Sequence, residues 1–186
     1  MSSIPWYVAR SAGLMSWALL TASVLWGLAM TTRFLGHGRR PRPVWLLDLH
    51  RYLGGLAVVF VGVHIGGVLL DSYVPFKWLY VIVPFTSHWR PGAIAWGVVG
   101  LYLLAAVEVT SLLRRHLPRR VWRATHFASF PLFLVATIHG LTAGTDTGTW
   151  LFQGVAAFAI TAVAALTAMR IARDTRRPLL PVATSH

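Results

Sequence analysis

This 186-residue sequence predicts an all-α integral membrane protein, a bundle of five transmembrane helices. Three observations lead there. Apolar residues make up 56% of the chain and charged ones only 12%, about half the charged share of a soluble domain. The few charges cluster, leaving uncharged stretches at 11–32, 52–70, 91–107, 124–145 and 147–169. Crossing a ~30 Å hydrocarbon layer takes ~20 apolar residues in a helix, close to the length of each stretch. The third extends through 109–113 once Glu108 is accepted inside it. Residues 1–186 then form a single membrane domain, with no separate soluble one.

Residues 1–10 read as a short outer tail, with Trp6 and Tyr7 suited to the membrane interface. The first span, about 11–32, is longer than a signal-peptide core and rich in Trp. It has no clear small-residue cleavage site before Arg33, so it is expected to be retained. The inner connection 33–47 carries Gly36, Gly38, Pro41 and Pro43, all poor continuations of a helix. Asp48 suits the N-cap of the second span, about 48–70. The long outer loop 71–91 holds Pro75, Pro84 and Pro91. Its apolar middle, Trp78–Val83, is too short to cross and suits an interfacial or re-entrant segment over the outer mouth. The third span covers about 92–113 and the fourth about 122–143, joined by the basic inner loop 114–121. Pro131 should kink the fourth. The turn 144–148 leads into the fifth span, about 149–170, and a basic tail follows at 171–186.

The net charge of +12 reads as topology rather than as nucleic-acid binding. If the spans alternate, fourteen of the seventeen Lys and Arg fall on one side. Arg33, Arg39, Arg40, Arg42 and Arg51 surround the first connection, and Arg114, Arg115, Arg119, Arg120 and Arg123 the third. Arg170, Arg173, Arg176 and Arg177 follow the fifth span, leaving only Arg10, Lys77 and Arg90 opposite. The positive-inside rule then places the N-terminus outside and the C-terminus in the cytoplasm. Contact with anionic lipid accounts for the basicity, and no nucleic-acid partner is expected. The expected location is a bacterial inner (plasma) membrane. Cysteine is absent, which excludes disulfides, thiolate-bound iron–sulfur clusters and haem attached through or ligated by sulfur.

Two pairs of histidines are the chemistry-bearing residues. His50 and His64 lie in the second span, His126 and His139 in the fourth. An imidazole in the bilayer interior costs free energy unless something binds it. Both spans run from inside to outside, and the separations of 14 and 13 residues correspond to ~21 and ~20 Å of helix. His50 therefore faces His126 near the cytoplasm and His64 faces His139 near the outer side, an arrangement that can hold two flat metal cofactors. Any haem would be non-covalent, with histidine as its ligand. Small residues should line the gap: Gly54, Gly55, Gly62, Gly66 and Gly67 on one helix, and Ala128, Ser129, Ala136 and Gly140 on the other. Helical phase agrees less well, since fourteen residues return to within about 40° of the starting face but thirteen leave about 140°. Hydrogen-bonded core histidines are the alternative. A non-haem metal site would want three or four ligands at one point.

Leu49-His50-Arg51-Tyr52-Leu53-Gly54 running on to His64, and Trp122-Arg123-Ala124-Thr125-His126 running on to His139, resemble the ferric reductase-like transmembrane domain. That superfamily includes ferric reductases, NADPH oxidases and the haem-binding membrane subunit of the methionine-sulfoxide reductase system. The resemblance covers about 12–170. It implies two non-covalent b-type haems, the inner on His50 and His126 and the outer on His64 and His139. Five spans against the family's usual six imply that the first is missing. No flavin- or nicotinamide-binding domain follows the last span, which implies electrons from a separate reductase, a bound flavin or a quinol. The oxidases carry a further histidine one turn after the outer ligand where this chain has Val68, so superoxide production is not implied.

Arg51 and Arg123 flank the inner ligands, with haem propionates or lipid phosphate as partners. Lys77, His88 and Arg90 are the basic groups of the outer loop, for outer propionates, an anionic acceptor or simply solvent. Glu108 suits either a salt bridge with an inner arginine or a proton or quinol site. Phe60, Phe130 and Phe133 lie between the two histidine levels, where core packing is their ordinary role. The expectation is a membrane cytochrome b carrying electrons from the cytoplasmic side to an outer acceptor, as the membrane component of a haem oxidoreductase. The alternatives are a subunit dedicated to one outer-face redox partner, and a non-redox transporter or scaffold.

Overall fold

The computed structural model describes residues 4–32, 44–72 and 76–175. The glycines and prolines expected to break the chain at 33–43, with four arginines and His37, lie outside the described residues. So do Pro75 and the tail from 176 on. Among the described residues every element is a helix: α1 (Ile4–Thr31), α2 (Val44–Leu70), α3 (Trp78–Ile82), α4 (Pro91–Leu112), α5 (Arg119–Phe127), α6 (Ser129–Ala143) and α7 (Trp150–Thr175). The protein is an all-α integral membrane protein, with five spans among the described residues long and apolar enough to cross: α1, α2, α4, the pair α5–α6, and α7.

Several helices run further than their uncharged stretches. α1 starts at Ile4, not near residue 11, because Arg10 does not end it. The guanidinium is neutralised by Asp146 and lies 5.0 Å from the Trp6 ring centre. Pro5 sits in the first turn, where its missing N–H costs no helical bond. α2 starts at Val44, so Asp48 is an internal residue bonded to Arg51 at 3.4 Å and not the N-cap. The extra turn is held by packing: Leu46 is buried, Trp45 meets Trp26 at 5.9 Å, and Trp26 Nε1 donates to the Leu46 carbonyl. α4 begins one residue earlier than expected, with Pro91 in its first turn. α7 runs on to Thr175; Arg170 stays in the helix by lying 5.3 Å from the Phe127 ring.

The fourth span breaks in two at Ala128, three residues before Pro131. Proline has no N–H for the Phe127 carbonyl, and its ring crowds that oxygen. The chain tightens there, the Ala128 N–H reaching the Thr125 carbonyl at 2.9 Å, and then resumes as α6. That break supplies the change of phase that an unbroken helix lacks between His126 and His139.

α1 is the central helix. It packs along α2 and touches α6 and α7, while α4 packs on α6 and α5. Val24 and Leu28 of α1 form a buried cluster with Phe133, Ala159 and Val163, and Phe130 packs against it. Phe130 and Phe133 are thus core residues. α2 and α6 do not pack along each other's length; they approach through histidine side chains. α3 packs on α4, with its own Tyr80 buried and Tyr102 of α4 donating to the Ile82 carbonyl at 2.5 Å.

Candidate functional site

His50 of α2 meets His126 of α5 with ring centroids 5.9 Å apart and planes at 78°. His64 of α2 meets His139 of α6 at 6.3 Å and 77°. Metal–imidazole bonds of ~2 Å on either side of one iron place two ring centroids ~6 Å apart. Both rungs therefore have the separation that a shared iron requires.

Three of the four rings are oriented by the same device. His64 Nδ1 donates to the Ala9 carbonyl at 2.7 Å, His139 Nδ1 to the Ala93 carbonyl at 2.8 Å, and His50 Nδ1 to the Ser23 carbonyl at 3.1 Å. The Ser23 hydroxyl lies 3.2 Å from the same His50 nitrogen. A proton held on Nδ1 leaves the Nε2 lone pair for a metal, and the hydrogen bond raises its basicity.

Each acceptor stands four residues before a glycine: Ala9 and Gly13, Ser23 and Gly27, Ala93 and Gly97. Helical side chains lean toward the N-terminus, so residue i+4 shields the carbonyl of residue i. Glycine leaves that carbonyl open to a second donor. A Cβ on Gly13 would sit 2.9 Å from His64 Nδ1, on Gly27 3.3 Å from His50 Cε1, and on Gly97 2.8 Å from His139 Cε1. These three glycines are the site residues that the sequence reading missed. Their signal was present, because Gly13 and Gly27 are separated by the same fourteen residues as His50 and His64.

The small residues expected to line the gap have other places. Gly54 faces Glu108, whose Oε1 would lie 2.8 Å from an added Cβ, and Gly67 packs on the Ala9 backbone. Gly55, Gly62 and Gly66 have nothing within 4 Å, and Gly55 and Gly62 share an exposed face with Tyr52 and Val59. Ala128 is the helix break and Ser129 opens α6. A Cβ on Gly140 would meet only Phe152, at 3.9 Å. Ala136 and Gly140 do face the interior, lining a cavity of about 410 Å³ around the His64–His139 rung with Gly13, Ala57, Val61, Gly97 and Leu104. The correction is one of phase, since the imidazoles turn toward glycines of α1 and α4, not toward those beside them in sequence.

This cavity is also lined by Trp6, Arg10, Asp71, Trp89 and Asp146. Arg10 donates to Asp146 through both arms of its guanidinium, Nε to Oδ2 at 2.6 Å and a terminal nitrogen to Oδ1. The pair ties α1 to the α6–α7 turn. With the two side chains 37% and 18% exposed, Asp146→Asn should cost about 1 kcal/mol of stability. A lower thermal midpoint in detergent, partly recovered by exchanging the charges (Arg10→Asp with Asp146→Arg), is the expected result; an unchanged midpoint would show the tie to be idle.

The outer-loop cations lie elsewhere and are not among the cavity's lining residues. Lys77 is exposed at the start of α3, and the exposed His88 ring meets Tyr80 edge-on at 5.8 Å. Arg90 donates to the Thr142 carbonyl at 2.9 Å, tying the loop to α6. Arg51 is half exposed on Asp48, and Arg123 is exposed. Glu108 forms no ion pair among the described residues and abuts Gly54, one turn outward of His50. No three His, Asp or Glu side chains converge among the described residues. Two ligands per point suit a cofactor that brings its own equatorial donors, and the fit to haem is good: centroid spacing, fixed Nε2 lone pairs and glycine-cleared rings agree.

The family model described as "Ferric reductase like transmembrane component" matches residues 12–137. The match spans His50, His64 and His126 and ends two residues before His139. No curated protein matches the chain, and neither does any solved structure.

Proposed function

The chain belongs to the ferric reductase like transmembrane component family, and on that premise we propose that it is a di-haem b-type membrane cytochrome carrying electrons from the cytoplasmic side to an acceptor on the outer face. The observation that supports this most is the pair of histidine rungs at iron-ligating separation, three of whose rings donate Nδ1–H to main-chain carbonyls. His50 and His126 would hold the inner haem, and His64 and His139 the outer. When bound, each haem supplies a one-electron carrier.

The chain's own residues do the rest. The carbonyls of Ala9, Ser23 and Ala93 select the tautomer, and Gly13, Gly27 and Gly97 give the imidazoles room. Apolar side chains such as Leu104, Leu132 and Val61 line the cavity beside the outer rung. In this reading the arginine-rich loops face the cytoplasm, the N-terminus lies outside, and a separate reductase or quinol supplies the electrons. The purified protein should show low-spin b-type spectra and close to two haems per chain in a pyridine haemochrome assay. A colourless preparation that hemin cannot reconstitute would overturn the proposal.

A further inference from the structure

His126 is the exception among the four rings. Its Nδ1 is buried and has no hydrogen-bond partner among the described residues, and the ring is stacked on Trp122 at 5.3 Å and 21°. Two more buried atoms lack a partner among the described residues: the indole Nε1 of Trp122, in the same stack, and the Ser111 hydroxyl of α4. That is unusual in these helices, because a helical hydroxyl normally bonds back to a carbonyl of the preceding turn. Those of Ser11, Thr21, Thr110, Thr137 and Thr167 all do so.

Register brings the Ser111 hydroxyl and His126 Nδ1 to one level. α4 runs antiparallel to α5–α6, with Gly97 against His139 and Gly100 against Val135. Fourteen residues on from Gly97 stands Ser111, and thirteen before His139 stands His126. α4 packs on α5 along this stretch. Val107 and Ser111 therefore hold the places, one rung inward, that Ala93 and Gly97 hold for His139. Where the other three sites have a glycine that uncovers a carbonyl, this one has a serine that covers it and offers a hydroxyl. Ser23, on the opposite side of the same rung, already sets its hydroxyl against His50 Nδ1.

We propose that Ser111 is the positioning residue of His126, its Oγ accepting the Nδ1–H that main-chain carbonyls accept from the other three histidines. The inference rests on the haem reading above. A hydroxyl is a weaker and more mobile acceptor than a helix carbonyl, so His126 is the least basic of the four ligands. A less basic ligand stabilises ferric iron less, so the inner midpoint potential lies above the value that a carbonyl acceptor in place of Ser111 would give.

The test is a redox titration with optical and electron paramagnetic resonance detection on the purified full chain. Ser111→Ala should raise the inner midpoint and lower inner haem affinity ~10-fold or more, leaving the outer haem unchanged. Ser111→Thr keeps the hydroxyl and should match the unsubstituted protein. Ser111→Gly uncovers the Val107 carbonyl and should move the inner midpoint to or below the starting value. Selective loss of the inner haem in Ser111→Ala, with retention in Ser111→Thr, also supports the assignment. The proposal is overturned if Ser111→Ala leaves the inner haem unchanged, if both haems shift together, or if Ser111→Thr behaves like Ser111→Ala. Absence of haem from the unsubstituted protein would instead strike at the haem reading itself, so the two failures are distinguishable.

Discussion

Replacing His64 with alanine is expected to remove one haem and leave the other, halving the haem content of the purified protein. The rungs are separated by fourteen residues of α2, ~21 Å of helix, so loss of one ligand does not disturb its counterpart at the other level. In the proposed reading His64 would be one of the two ligands of the outer haem, and its ring is held at 2.7 Å on the Ala9 carbonyl. Removing the ligand itself should weaken binding by more than the ~10–100-fold typical of a lost second-shell partner. His139→Ala should give the same spectrum. The double replacement should be no worse than either single one, because both histidines serve one site. His50→Ala and His126→Ala should remove the other haem. His88→Ala, an exposed ring against Tyr80, is the control and should retain both. Haem content unchanged by each ligand replacement would sink the assignment.

What the sequence made legible were the quantities that depend on distance along the chain. Length and apolarity mark the spans, and spacings of fourteen and thirteen set the depths of the four histidines. Direction around a helix axis was harder to read, because it depends on neighbours that are remote in sequence. Gly55, Gly62 and Gly66 lie beside the ligands in sequence yet have open space around them, while Gly13 and Gly97 touch the imidazoles from other helices. The phase conflict between His126 and His139 was visible; its resolution at Ala128 required knowing that the backbone gives way before Pro131. Charge misled at two helix starts. Arg10 and Asp48 were read as boundaries, and both lie within helices because each has a carboxylate or guanidinium partner.

The rungs also differ in kind. The outer one is held by two backbone acceptors within 2.8 Å and sits beside an apolar-walled cavity under α3. The inner one has a longer bond from His50 to Ser23, an aromatic stack on His126 and, one turn away, the Glu108 carboxylate, which has no ion pair among the described residues. If both rungs hold haem as proposed, these different surroundings would give the two carriers different potentials from identical ligand types.

The glycine cradle makes the sharpest separation between structural and site effects. Gly97→Val should abolish outer haem binding while the helix itself remains intact. A Cβ at position 97 would lie 2.8, 3.0 and 3.2 Å from Cε1, Nδ1 and Nε2 of His139, so the whole imidazole must leave and not merely tilt. Leaving, it gives up the Ala93 carbonyl and with it the tautomer that presents Nε2. Gly97→Ala should act in the same direction, since the clash begins at Cβ. Helix propensity runs the opposite way: alanine favours a helix interior over glycine by ~1 kcal/mol, so haem loss could not be assigned to a weakened α4. Two matched controls share the chemistry without the contact. Gly100→Ala meets only a Val135 methyl at 3.5 Å, and Gly62→Ala meets nothing within 4 Å. Both should keep two haems and a thermal midpoint at or above the starting one. If Gly97→Ala and Gly97→Val bind the outer haem as well as Gly100→Ala does, the carbonyl beneath the missing side chain does not hold His139.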